Sequence, residues 1–279
     1  MIKPEKNRTM QTFGISFSRW MLVMSIVVAG VTLAQTAVAQ NPGQPTSIQR
    51  EIERQRQRLS SAEVEERRDA LMRLGNFKRP DASRVAAAGL NDQEVQVRVA
   101  AAHAVVFLPP VEAAGLLLPL LQDRSEFVRR EAAYALGETR DRGAVTRLLE
   151  LLSGDKEAAV RGAAAVALGR IGDETAVSAL SQALSGIKKK KAPPADEFLM
   201  RSAAHSLGQI RSRAGLPALI AALSDDQKPL DVRREAAAAL GLIGDPSAAS
   251  ALRTVLDSSD PYLAEAARQA LRKLATARN

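Results

Sequence analysis

The ten residues Val128–Gly137, VRREAAYALG, return as VRREAAAALG at Val232–Gly241 and as VRGAAAVALG at Val160–Gly169. Looser copies begin at residues 66, 97, 199 and 263, so successive starts fall 31, 31, 32, 39, 33 and 31 residues apart. One short pattern restated at a nearly fixed interval restricts the chain to a repeat architecture. At about 100° per residue, positions 1, 5, 8 and 9 of the pattern share one helix face. They read Val, Ala, Ala, Leu in the two best copies, and position 5 is alanine in all seven. Position 12 joins that face as Phe77, Leu108, Ile171, Ile210, Ile243 and Leu274. A lone helix cannot bury such a face, whereas stacked copies make a continuous core in which each unit touches its neighbours.

Second apolar stretches at helical spacing lie between the copies: Val111–Leu121, Val145–Leu152, Ala176–Leu184 and Leu216–Leu223. Two helices per period predict a helical hairpin. The residues then follow a known order: an acidic turn, V-R-x-x-A-A-x-A-L-G-x-I-G-D, then A-x-x-x-L-x-x-x-L. Val160–Leu184 fits nearly throughout, including Gly172-Asp173; Asp245 follows Gly244 in the same slot, and Asp141 fills it without the glycine. Over roughly residues 60–275 the chain resembles the HEAT-like repeats of the phycobilisome-lyase type. The fold expected is all-α, a right-handed α-solenoid of six to seven HEAT-like hairpins behind an N-terminal signal or anchor helix. The resemblance specifies a fold and leaves the activity open, since scaffolds, lyases and nucleic-acid enzymes share it.

Residues 1–39 read as an export signal: a basic start (Lys3, Lys6, Arg8, Arg19), the apolar run Trp20–Leu33, and the small-x-small site Ala37-Val38-Ala39 before Gln40. An uncleaved membrane anchor is the alternative. Either way the remainder is expected outside the cytoplasmic membrane of a bacterial cell, periplasmic or extracellular. Residues 40–47 form a Pro/Gly linker, and 48–279 the solenoid, interrupted at 185–198 by a loop carrying Lys188, Lys189, Lys190 and Lys191. Beyond residue 39 the chain holds 35 basic and 30 acidic residues, a net charge of +5 that does not argue for nucleic acid. Cysteine is absent, which excludes thiolate chemistry and cysteine-ligated zinc.

Positions 3 and 7 lie opposite the buried face, one turn apart. By resemblance this surface lines the concave groove. Arg130, Tyr134, Arg201, His205 and Arg234, with His103, are the expected contact residues for a protein or extended peptide of acidic character. Position 2 is arginine in Arg67, Arg98, Arg129, Arg161 and Arg233; by resemblance these form a structural ladder with Asp141, Asp173 and Asp245. Met200 takes the slot in the interrupted unit, which predicts a break there. His103 and His205 stand 102 residues apart, too far to share a metal. They precede Ala104 and Ser206, whereas metal oxygenases of this fold use His-Glu pairs. The sequence therefore predicts no catalytic, cofactor-binding or metal-binding residues, and no enzyme. The function expected is a noncatalytic scaffold or adaptor in the cell envelope. Behind it stand an electrostatic adaptor to anionic lipid or glycan through Lys188–Lys191 and, last, a HEAT-fold lyase or other enzyme. Oligomeric state is not legible.

Overall fold

The computed structural model describes residues 45–186 and 196–276. The expected signal or anchor, residues 40–44 of the linker and Lys188–Lys191 lie outside the described residues. The chain divides into two units, Met1–Arg50 and Glu51–Asn279. Of the first, residues 45–50 are described and begin helix α1 (Ser47–Arg58).

The second unit is a row of helical hairpins. Its motif helices are α2 (Val64–Asn76), α4 (Val95–Ala104), α6 (Glu126–Thr139), α8 (Ala158–Ile171), α10 (Glu197–Ile210), α12 (Leu230–Ile243) and α14 (Pro261–Thr276). Between them run the second helices α3 (Pro80–Ala86), α5 (Pro110–Leu117), α7 (Val145–Gly154), α9 (Val177–Ser185), α11 (Leu216–Ser224) and α13 (Ala249–Arg253). Each motif helix packs on the next in the row, and each from α6 onward also packs on the second helix before it. No strand occurs among the described residues, and no helix there is long and apolar enough to cross a membrane. The fold is an all-helical repeat solenoid.

The core follows the periodicity. Val128, Ala132, Ala135 and Leu136 are buried, as are Val160, Ala164, Ala167 and Leu168. The closest approach between motif helices falls at position 10. A Cβ added to Gly137 would come within 2.7 Å of the Ala167 Cα, and one on Gly241 within 2.7 Å of the Ala270 Cα. Glycine at position 10 of one copy and a small residue at position 8 of the next therefore set the helix separation.

Arginine at position 2 fastens each turn to the next. The Arg98 Nη1 donates to the Asp92 and Gln93 carbonyls before its own helix, while Nε and Nη2 reach both Asp123 oxygens at 2.8 and 2.9 Å. Arg67 repeats this with Asp92, and Arg129 with Asp155. Arg161 donates to the Asp155 and Lys156 carbonyls, and Arg233 to that of Leu223.

The acids of the ladder differ from those expected. Asp92, Asp123 and Asp155 belong to the turn before each motif helix, where each also accepts the backbone amide two residues on. Asp141, Asp173 and Asp245 instead lie after the motif helix and accept the amides of Gly143, Thr175 and Ser247, opening the second helix. Their distance from the position-2 arginines follows from the hairpin, because the two turns sit at opposite ends of the motif helix. Asp225 holds the ladder slot opposite Met200 and accepts the Gln227 amide, with no arginine partner among the described residues. There Lys228 Nζ donates to the Ser185 carbonyl, 3.7 Å from Met200 Sδ.

Candidate active site

The row of motif helices is irregular at α4. This helix spans ten residues against fourteen in α6, α8, α10 and α12, and runs into a 3-10 turn at Val105–Phe107 before Pro109-Pro110. Its position 10 is Val106 instead of glycine, so the close approach made elsewhere is sterically barred. A cavity of about 680 Å3 opens over α4 between α2 and α6. Leu71, Met72, Val99, Ala100, Phe107 and Phe127 give it apolar walls. Met72 and Phe127 are 57% and 51% exposed, which marks the mouth.

The polar groups of the lining are Arg68, Lys78, His103, Arg130 and Glu131, with Gln96 and Asn76. His103 Nε2 lies 3.1 Å from Glu131 Oε2, a pair joining consecutive repeats. The other Glu131 oxygen accepts from Arg130 Nε and Nη2 at 3.0 and 2.8 Å. The Arg130 guanidinium sits 5.3 Å from the centre of the Phe127 ring. Glu131 is thus engaged on both oxygens and only 17% exposed, while His103 remains 54% exposed toward solvent. A carboxylate on one ring nitrogen fixes the imidazole's orientation and leaves the other free to exchange a proton. Arg68 pairs with Glu65 through Nη2, and its Nε is buried without a hydrogen-bond partner. Lys78 makes no ion pair among the described residues.

The expected contact residues divide between the cavity and two later repeats. Arg130 and His103 line the cavity, whereas Tyr134 is half-buried and outside the lining; burial pushes its phenol up. Arg201, His205 and Arg234 belong to α10 and α12. Arg201 lies 4.0 Å from Asp231 and over the Phe198 ring. Arg234 pairs with Asp231 and Asp260 and covers the Tyr262 ring. His205 Nδ1 meets Glu235 at 2.8 Å; that bond raises its pKa against the opposing effect of burial. These cations already have acidic partners, so the acidic ligand expected for them competes with Glu131, Asp231, Glu235 and Asp260.

Glu131, Lys78 and Phe127 were not legible as site residues. The signal for Glu131 does exist: a histidine at position 7 is followed, in the next copy, by a glutamate at position 4. This holds for His103 with Glu131 and for His205 with Glu235.

The fold and its repeat define the class of protein. The HEAT-repeat family model matches residues 52–136, 113–186 and 195–272, and the chain belongs to the HEAT-repeat family. Over 77 residues the chain is 42% identical to the deoxyhypusine hydroxylase of Gallus gallus. That segment is 28% of this chain and 26% of the hydroxylase, so the chain covers about a quarter of this relative. Among solved structures, the CpcE–CpcF complex of phycocyanin lyase from Nostoc sp. aligns over 85% of this chain and 97% of its own. Its TM-score is 0.51 at 23% identity. The YibA protein of E. coli aligns over 95% and 99%, with a TM-score of 0.56 at 18% identity. Both likenesses are of fold.

The hydroxylase relative overturns two expectations, that the chain is a noncatalytic scaffold and that it is no enzyme. Each histidine finds a glutamate in the adjacent repeat. A metal of the kind held by His-Glu pairs does not fit these residues: each histidine meets one carboxylate, and among the described residues no three His, Asp or Glu converge.

Proposed function

We propose that this chain is an enzyme of the HEAT fold that moves a proton on a small molecule held in the cavity between α2, α4 and α6. His103 is the acid–base group, and Glu131 orients it. The observation that carries the proposal is the His103–Glu131 pair on the wall of a largely apolar cavity about 680 Å3 in volume. That volume lies in the range of roughly 300–1,000 Å3 usual for small-molecule sites. Local identity to an enzyme supports the reading. Hydroxylation is not carried over, because the donor set does not suit the metal. The reaction class that suits the residues is elimination or its reverse, with the imidazole as the group that removes the proton.

The probe is 5-nitrobenzisoxazole, a flat apolar molecule that opens when a base takes its C3 proton. The N–O bond breaks, and the electron pair goes to the phenolate oxygen of a coloured product. The full chain is expected to accelerate this opening with saturation, and His103→Ala to lower kcat/KM by about 100-fold, the lower end of what a positioned base contributes. Equal rates for the wild type and His103→Ala would overturn the assignment.

A further inference from the structure

We infer that the ligand of this cavity is an amphipathic monoanion, an apolar body with one carboxylate end, held by Lys78. The inference rests on the functional reading above only in calling that ligand the substrate. Its first support is charge. The lining carries three fixed cations, Arg68, Lys78 and Arg130, against one acid, Glu131. Arg130 pairs with Glu131, and Arg68 pairs through Nη2 with Glu65 outside the lining, its buried Nε remaining unpartnered among the described residues. Lys78 is the cation left over, without an acid among the described residues. One unmatched ammonium beside an apolar wall suits a single negative charge; a phosphate chain or nucleotide needs several converging donors.

The second support is shape. Met72, Val99 and Phe127 present apolar surface around the mouth, and the exposed Met72 and Phe127 gain from a ligand that covers them. The backbone contributes as well. Lys78 adopts a left-handed conformation (φ 51) at the end of α2, with its amide on the Gly75 carbonyl. This turn carries the side chain at the cavity's edge.

The test uses dodecanoate and dodecyltrimethylammonium, equal tails of opposite charge, titrated calorimetrically below their micelle concentrations. Dodecanoate should bind one per chain and at least tenfold more tightly than the cation. Lys78→Asn keeps a residue that tolerates the left-handed turn and should weaken dodecanoate about tenfold. Met72→Glu, at an exposed position, should abolish binding without unfolding the chain. Equal affinity for both amphiphiles, or an unchanged affinity in Lys78→Asn, would overturn the inference. The two proposals fail separately. Loss of dodecanoate binding with His103-dependent turnover intact removes the ligand class and leaves the reaction centre. Lys78-dependent binding without turnover does the reverse.

Discussion

Position 13 of the repeat, one residue past the motif helix or two in the case of Lys78, sits in the left-handed region in Lys78, Arg140, Gly172, Arg211 and Gly244. A glycine adopts it freely, whereas a side chain there costs about 1 kcal/mol or more. Arg140 and Arg211 lie outside the cavity and make no ion pair among the described residues, so no ion pair offsets that strain. Arg140→Gly is expected to raise stability by about 1 kcal/mol, read as an increased urea midpoint at constant slope. At the same scale, positions 3 and 7 were identifiable by angle, but not the groups opposing their side chains. Glu131 and Glu235 come from the next copy, and a reading confined to one helix treats them as solvated acids.

The separation of successive motif helices is set by glycine against alanine. In Gly137→Ala the new methyl would meet the Ala167 backbone at 2.7 Å, which no rotamer change relieves. Overpacking costs about 1–3 kcal/mol, more than the ~1 kcal/mol that alanine gains in helix propensity. Gly115 in α5 has nothing within 4 Å of an added Cβ, so Gly115→Ala should stabilise. Opposite signs for one chemical change, measured by denaturant unfolding, test the packing rule; two changes of the same sign would contradict it. The helices themselves were legible because burial and periodicity agree. The cavity was not, because it arises from a subtraction: α4 stops four residues early and Val106 replaces a glycine. Pro109-Pro110 follows the early stop, and the space left there depends on both neighbours.

Across the whole molecule the arginine ladder ties acid stability to a few carboxylates. Arg67 hydrogen bonds hold Asp92 below the usual carboxylate range. For Asp123 and Asp155 burial pushes upward, and their arginines and backbone amides outweigh it. A carboxylate whose folded pKa is depressed contributes stability above its unfolded value and loses it as pH falls through the folded value. Unfolding free energy is therefore expected to hold at neutral pH and to fall below about pH 4. Arg98→Met should flatten the part of that fall that Asp123 contributes, measured by urea titration at pH 3 and pH 7. The arginines were evident as a recurring column. Their acidic partners were misassigned because resemblance supplied a conspicuous Gly-Asp turn, while the true partners lie 25 or 26 residues on, in the turn at the other end of the hairpin. Repetition also concealed function. A motif seen seven times reads as scaffold, and the candidate site lies where one copy departs from it.

The central claim is that one histidine, placed by its neighbour's glutamate in one cavity, does the chemistry. It is tested most directly by kcat/KM for 5-nitrobenzisoxazole in His103→Gln and His205→Gln. His205 has the same glutamate geometry but lies in another repeat, outside the cavity lining. The account predicts that His103→Gln lowers kcat/KM by about 100-fold, while His205→Gln leaves it as in the wild type. Equal losses in the two variants, or none in either, would contradict it.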